Sequence, residues 1–375
     1  MQQPDAAPRN NLTIAQVVSL IQDAPAVTVG FGCELLDTAL AVVDDLSPWF
    51  GGGSVSRSNY ATLHGSAELQ FTRELDWANA LVRPYMTLTD HTVTARFNLG
   101  AYFAARPERV ADAPYGAVTG FDICHILNDL VGDSYAVPAG ASPLAEVESI
   151  LQARGVVAYL IDQAEAAATL PTARTWAIGD DRTWLHIVND LLGTVGYMGA
   201  WSDWDGRVRC VPYVNPRDRA PEWLYTVEGA ASMLGLRRRY TADYFNAPNR
   251  WVAVRTSDPD GLPPTEGDGL YIYVNETDGP TSTRARGRTI TAPLIQVDAA
   301  SQAALVAAAQ QRIDADMRLR TTVSLATAPN PLHWHFDRLA LQDTALGQAV
   351  TDVVGVSWTL PLDGADMTHE WASLA

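Results

Sequence analysis

The sequence predicts an α+β, multidomain chain in which two strand-rich ends flank a smaller α/β region. Three observations carry this. Period-two alternation of apolar and polar residues dominates from Ala26 to about Arg106. Helical periodicity followed by glycine recurs between about Ala113 and Pro216. Strand patterns then return after VNPRDRAPEW, a stretch rich in proline and charge that reads as a boundary near Pro216.

The elements follow in order. Residues 1–23 form a polar, proline-rich arm and a short helix, LTIAQVVSLIQD, with Ile14, Val17, Val18 and Ile21 on one face. Residues 24–110 make the first β-rich domain from AVTVGF, ALAVVDDL, SVSRSNYATL, SAELQFTREL and TVTARFNLGAYFA, with Gly51 to Gly53 read as a loop. Residues 111–216 are mixed, with helices at FDICHILNDL and PLAEVESILQAR. A strand–helix–hairpin unit runs from Thr175 to Val214. Asp180 or Asp181 caps its helix, Trp184, Ile187, Val188 and Leu191 form the buried face, and Gly193 or Gly196 ends it. Asp205-Gly206 then reads as a two-residue hairpin turn.

Residues 217–375 form the second β-rich domain from NRWVAVRT, LYIYVNET, RLRTTVSLATA and QAVTDVVGVSWTLPL. An alanine-rich helix near 298–317 interrupts them, with Ala304, Leu305, Ala308 and Ile313 as its buried stripe. No residue-level repeat is visible, only a loose recurrence of helix, glycine and strand.

Composition narrows the function. At 375 residues and 47% apolar, the chain has room for two or three cores. It has no run of eighteen apolar residues, and MQQPDAAPRNN lacks the basic and apolar regions of a secretory signal, so it reads as soluble, made in a cytoplasm and not inserted in a membrane. Cys33, Cys124 and Cys210 are odd in number and far apart, which fits buried thiols rather than a disulfide framework. All 26 basic residues are arginine against 43 carboxylates, for a formal charge of −17. Such a chain repels phosphates unless its arginines are segregated, which argues against sequence-specific nucleic-acid binding.

Motifs that could carry chemistry read more simply as structure. His333 and His335 in PLHWHFD would share one side of a strand, half of a metal site, yet no further ligand lies at a diagnostic spacing. Asp203 and Asp205 in DWDG lack the remaining ligands of a calcium loop. GFGCEL lacks the third glycine of a dinucleotide fingerprint, and neither GxxxxGK[ST] nor GxSxG occurs. Asn11-Leu12-Thr13 and Asn275-Glu276-Thr277 match a glycosylation sequon by chance in a chain without a signal. The sequence therefore assigns no catalytic residue, cofactor or metal.

Two local basic concentrations stand out, Arg237, Arg238 and Arg239 and then Arg284, Arg286 and Arg288; they are assigned to intersubunit pairing with carboxylates. Trp77, Trp176, Trp184, Trp251 and Trp358 lie in periodic segments and read as core or interface. Trp201 and Trp204 on the hairpin are assigned to outer-surface contacts.

The order of these segments resembles the tail hub proteins, a kind of minor tail protein, of long-tailed phages that infect actinobacteria. The resemblance rests on LDWANALVRPYMTLTD, FNLGAYFAARPERV, VTGFDICHILND, a helix ending in QARGV, and TWAIGDDRTWLHIVNDLLGTVGYMGAWSDWDGRV. It continues through DAASQAALVAAAQQRI, RLRTTVSLATAPNPLH and VVGVSWTLPLDGADMTHEW. A GC-rich coding bias, the simplest source of a lysine-free chain, agrees with it. The resemblance implies a baseplate-hub-like fold with two β-barrel-like tube domains, three copies of which form a ring that continues the six-fold tail tube and adapts it to a three-fold tip. The expected partners are further copies of the chain, tail tube or distal tail proteins, the tape measure protein and other tip proteins. DNA would pass through without specific binding. Relatives carry C-terminal host-binding or lytic extensions, and because this chain ends at Ala375 those roles are expected to fall to other proteins. Two other readings compete: a carbohydrate-binding tip module using Trp201 and Trp204, and a cell-wall hydrolase with a dispersed site.

Overall fold

The computed structural model describes residues 12–22, 27–73, 80–91, 93–109, 116–179, 182–227, 233–242, 245, 247–256, 264–318, 321–334, 336–343 and 348–374. The N-terminal arm, Trp77, Asp180, Asp181 and His335 lie outside them. Strands dominate and helices are few. After α1 (Ile14–Gln22) come β1 (Thr28–Leu36), β2 (Val42–Asp45), β3 (Phe50–Ser58) and β4 (Gly65–Phe71). β5 (Leu81–Thr89), β6 (Thr94–Asn98), β7 (Tyr102–Arg109) and β8 (Gly116–Asp122) complete the first region.

The middle holds β9 (Tyr135–Val137), α2 (Pro143–Ala153), β10 (Tyr159–Ile161), β11 (Arg174–Trp176), α3 (Trp184–Thr194), β12 (Trp201–Ser202) and β13 (Val208–Cys210). Next are β14 (Trp223–Thr226), β15 (Leu234–Ala242), β16 (Arg250–Arg255), β17 (Thr265–Glu266), β18 (Gly269–Val274), α4 (Thr283–Arg286) and β19 (Ile295–Val297). The chain closes with α5 (Gln302–Arg318), β20 (Thr321–Thr327), β21 (Arg338–Asp343), β22 (Gln348–Pro361) and β23 (Met367–Ser373).

Fourteen strands form one sheet in the order β15-β20-β23-β22-β3-β4-β8-β7-β5-β1-β2, with β6 on β5, β21 on β22 and β14 on β21. This sheet is open, so the pairings among the described residues close no barrel. β22 is long enough to serve two neighbours. Its first half pairs with β21, and Ser357 to Pro361 pair antiparallel with Ser58 to Ser54 of β3. That ladder joins the two strand-rich ends, and their side chains share one apolar core that includes Val55, Leu69, Phe97, Trp334, Trp358 and Trp371.

The two ends repeat one topology. In chain order β3, β4, β5, β7 and β8 lie side by side as β3-β4-β8-β7-β5, and β15, β20, β21, β22 and β23 lie as β15-β20-β23-β22-β21. Every neighbouring pair in both sets is antiparallel. One irregularity also coincides. β7 bulges between Ala104 and Arg106, opposite Gly120 and Thr119, and β22 bulges between Gly355 and Ser357, opposite Trp371 and Glu370. The sets diverge beyond the fifth strand, where β1 is antiparallel to β5 but β14 is parallel to β21. They diverge also between their first two strands, where residues 59–64 form a short loop and residues 243–320 hold a separate small sheet and α5.

Several local expectations change. Gly51 to Gly53 is strand, not loop, because β3 passes so close to β4 that a Cβ on Gly53 would stand 1.9 Å from the Glu68 carbonyl oxygen. FDICHILNDL forms a 3-10 turn, Ile123–Asn128, capped by the Asp122 carboxylate on the Cys124 N–H. α3 starts from Thr183, whose hydroxyl accepts from the His186 N–H, and Gly193 lies within it while Gly196 follows at φ 74°. The hairpin loop is three residues, since the Asp203 N–H bonds the Arg207 carbonyl and Gly206 takes φ 92°. In α5 Ala304, Leu305 and Ile313 are buried as expected, but Ala309 takes the place of Ala308, which is only half-buried. Pro331 to Trp334 form a turn and loop, so His333 belongs to no strand.

Candidate functional site

A buried polar junction fastens the three regions together. Arg57 of β3 is fully buried; its guanidinium donates to the carbonyl (2.9 Å) and hydroxyl (3.0 Å) of Ser202 on β12. It also lies 3.8 Å from the Trp334 ring centroid and 3.9 Å from the Asp122 carboxylate, itself fully buried. Asp122 accepts the N–H groups of Gly65 and Cys124, and the Trp334 indole donates to the same Ser202 carbonyl. One cation thus touches the first region, the middle and the C-terminal region. A buried ion of this kind needs such partners to persist, although the Arg57 Nε itself has none among the described residues.

The hairpin completes the junction. Gly206 packs so tightly on Ala101 that a Cβ there would come within 2.5 Å, the Gly100 N–H donates to the Trp204 carbonyl, and Asn98 donates to Asp205 at 2.7 Å. Asp203 accepts from the Asp205 and Arg207 N–H groups, the work of a turn residue. Trp204 meets Trp334 edge-on, and Trp201 lines a cleft of about 360 Å³ with Met198, Tyr213, Pro216, Arg219 and Phe336. Both tryptophans are half-buried.

A second buried cluster lies in the C-terminal region. His333 holds Asp337 at 3.0 Å and stacks on Tyr225, and His369 lies 4.9 Å from the His333 ring and bonds Thr327. No group of three or more metal-ligating side chains occurs among the described residues. Burial, reinforced by His333, holds the His369 imidazole well below its usual range. Because the folded value lies below the unfolded one, stability is full above about pH 6.5 and is lost as the pH falls below it, by up to about 1.4 kcal/mol per unit for one site. Urea midpoints are expected to drop between pH 7.5 and 5 and to drop less in His369→Phe; an unchanged slope in that variant refutes the assignment. The thiols are also inert: burial raises Cys33 and Cys124, and pushes Cys210 up to about 12.

The two arginine groups are not brought together. Arg237 and Arg239 are exposed on β15, the outermost strand at one end of the sheet, whereas Arg238 turns inward onto Asp343 at 2.6 Å. Tyr240 donates to the same carboxylate. Arg284 and Arg288 are exposed beside the small sheet, and Arg286 donates to the Ala247 carbonyl at 3.2 Å. At the other end of the large sheet β2 presents Val42 and Val43, 52% and 63% exposed, next to Asp44 and Asp45. Exposed sheet edges of this kind can pair with a partner.

No protein-family model matches the chain, and no curated protein matches it. Solved structures do. A tail protein from Neisseria meningitidis MC58 aligns over 92% of this chain and 96% of its own, with TM-score 0.60 at 12% identity. The 43 kDa tail protein of prophage MuSo2 from Shewanella oneidensis aligns over 92% and 98%, with TM-score 0.60 at 10% identity. The chain has the fold of phage tail proteins. Prophage tail protein gp18 from Listeria monocytogenes EGD-e agrees, at TM-score 0.50 and 11% identity over 92% and 94%. This tail-protein fold spans both strand-rich ends and the middle, so the Arg57 junction lies inside a shared architecture. Among the described residues no helix is long and apolar enough to cross a membrane.

Proposed function

We propose that this chain is a structural hub of a phage tail tip, three copies of which form a ring that continues the tail tube and surrounds the DNA channel. The observation that carries the reading is the repeated strand order within a chain of tail-protein fold. Two equivalent strand sets per chain give three copies six equivalent sets, which suits an adaptor between a six-fold tube and a three-fold tip. Each set of strands then belongs to one barrel-like tube domain, the first running from near residue 24 past 110 to include β8 and the second near residues 217–375, with the middle region packed outside. Neighbouring partners are tube or distal tail proteins, the tape measure protein and other tip proteins. Arg237 and Arg239, with Arg284 and Arg288, supply exposed cations for contacts between subunits. The excess of carboxylates suits a lumen through which DNA slides without being held.

Native mass measurement of the purified chain, with imaging of assembled tail tips, tests this. A three-copy ring with an acidic lumen is the expected result. An arginine-lined lumen, or a two-fold or six-fold assembly, refutes it.

A further inference from the structure

We infer that the cleft lined by Trp201, Tyr213 and Phe336 is the seat of the proline-rich N-terminal arm of the same chain, with Pro8 against the aromatic rings and Arg9 at Asp162. The inference goes beyond the ring reading and is independent of it, since it concerns a contact within one copy.

The cleft has a size and a lining that suit a short extended segment. Its volume of about 360 Å³ lies at the small end of the range for ligand sites, with room for a few residues. Trp201, Tyr213, Phe336, Met198, Pro212 and Val214 make it mainly aromatic and aliphatic. Phe336 stands at φ 61°, a left-handed conformation rare for a bulky residue, and its neighbours hold it there. Arg219 donates to its carbonyl, and the next residue, Asp337, accepts the Trp334 N–H at 2.7 Å. The strained backbone thus places Phe336 in the cleft wall.

The rim is acidic. Asp162 is exposed, its carboxylate accepts the Ala164 N–H at 2.8 Å, and no arginine among the described residues pairs with it. Glu165 lies close by, its N–H on the same Tyr197 hydroxyl that donates to the Asp162 carbonyl. The cation already in the lining, Arg219, is committed to Glu222 and to the Phe336 carbonyl. A second cation therefore has a carboxylate waiting for it at Asp162.

The arm carries the matching chemistry. Residues 1–11, MQQPDAAPRNN, lie outside the described residues and contain two prolines and one arginine. Proline fixes its own φ and turns the residue before it away from helix, so Gln3, Pro4, Ala7 and Pro8 all favour extended backbone. Segments of this kind bind aromatic-lined grooves because they have little conformational freedom left to lose, and an adjoining arginine can grip a carboxylate. The side chains of the arm, Asp5 and Arg9, carry no net charge, so an acidic rim does not repel it as it would the carboxylate-rich chain as a whole. The tether favours the chain's own arm over any other source. The arm runs directly into Leu12, which packs on the same apolar core as Trp201. Pro4 can stand up to about 26–29 Å from Leu12 on extended chain, and so short a tether holds the segment at roughly millimolar effective concentration.

The test uses full-length Ala7→Cys/Val214→Cys under mild oxidation, with intrachain and interchain disulfides separated by non-reducing electrophoresis and peptide mass analysis. Val214 lines the cleft and is 50% exposed, while Ile178 is 67% exposed and lies outside it, so Ala7→Cys/Ile178→Cys is the control. The cleft pair is expected to form its intrachain disulfide at least about tenfold faster than the control, because docking raises the local concentration of the thiol. Pro8→Gly, Arg9→Gln or Asp162→Asn, each added to the cleft pair, should remove most of that advantage. Equal rates in the two pairs overturn the inference. A fast cleft pair that none of the three changes slows overturns the recognition by proline and arginine. Disulfides that form mainly between copies overturn the assignment to the same chain and give the cleft to a neighbour's arm. None of these outcomes requires a trimer, so the hub reading stands or falls separately on native mass.

Discussion

Arg57→Ala is expected to lower the stability of the chain by about 3–5 kcal/mol, the cost of stranding a buried carboxylate whose cation has been removed. Asp122 would remain fully buried, and Ser202 and the Trp334 ring would lose the group that holds them against β3. Denaturant unfolding of the purified variant measures the loss. Arg57→Met, which keeps much of the volume, should recover little of it, since the charge on Asp122 remains unmatched; the double variant Arg57→Met/Asp122→Asn should recover more. A loss below about 1 kcal/mol in Arg57→Ala would show that the three regions are fastened elsewhere.

Gly53→Ala is expected to be of similar size, about 3 kcal/mol or more, for a steric reason. Gly53 takes φ 135°, where side chains are strained, and the added methyl would meet Glu68 backbone, which cannot swing aside as a side chain can. The strands β3 and β4 would have to separate, and β3 is also the strand that meets β22. Gly132→Ala serves as the comparison, because it too has positive φ but nothing within 4 Å of the new methyl. Equal losses in the two variants would mean that backbone conformation, not the close approach, governs Gly53.

What could be read from the residues was what local pattern determines. The faces of α1 and α3 follow from apolar spacing, and Ile187, Val188 and Leu191 are buried as that spacing requires. The hairpin at Asp205-Gly206 follows from turn chemistry, although the loop is one residue longer than the dipeptide suggests. Gly51 to Gly53 misleads because glycine marks a break in isolation and a close approach only when the opposing strand is known.

The duplication is hidden for a deeper reason. Strand order is set by pairings distant in sequence, and equivalent positions in the two sets need share only backbone geometry, so Gly120 in one answers to Trp371 in the other. Arg57 was equally invisible: in SVSRSNYATL it reads as the polar partner in an alternating strand, and nothing nearby announces that Ser202 and Trp334 will enclose it. The arginine run RRR was legible as a feature, but which of its members turns inward depends on Asp343, far along the chain. His333 illustrates the same limit: Asp337 lies within its own motif, but Tyr225 and His369 reach it from β14 and β23.

The β3–β22 ladder also dictates when the molecule can finish folding. Its paired side chains Ser56 and Thr359 are 303 positions apart, so the first set of strands emerges from the ribosome long before its partner strand exists. Contacts of such separation form slowly. Throughout that interval β3 carries a bare row of amide and carbonyl groups, the condition under which nascent β-proteins pair with the wrong neighbour. Expression yield should therefore depend less on the final stability of the chain than on how that one strand is shielded during synthesis, and slower growth or a chaperone that occupies extended segments should raise the recovered fraction.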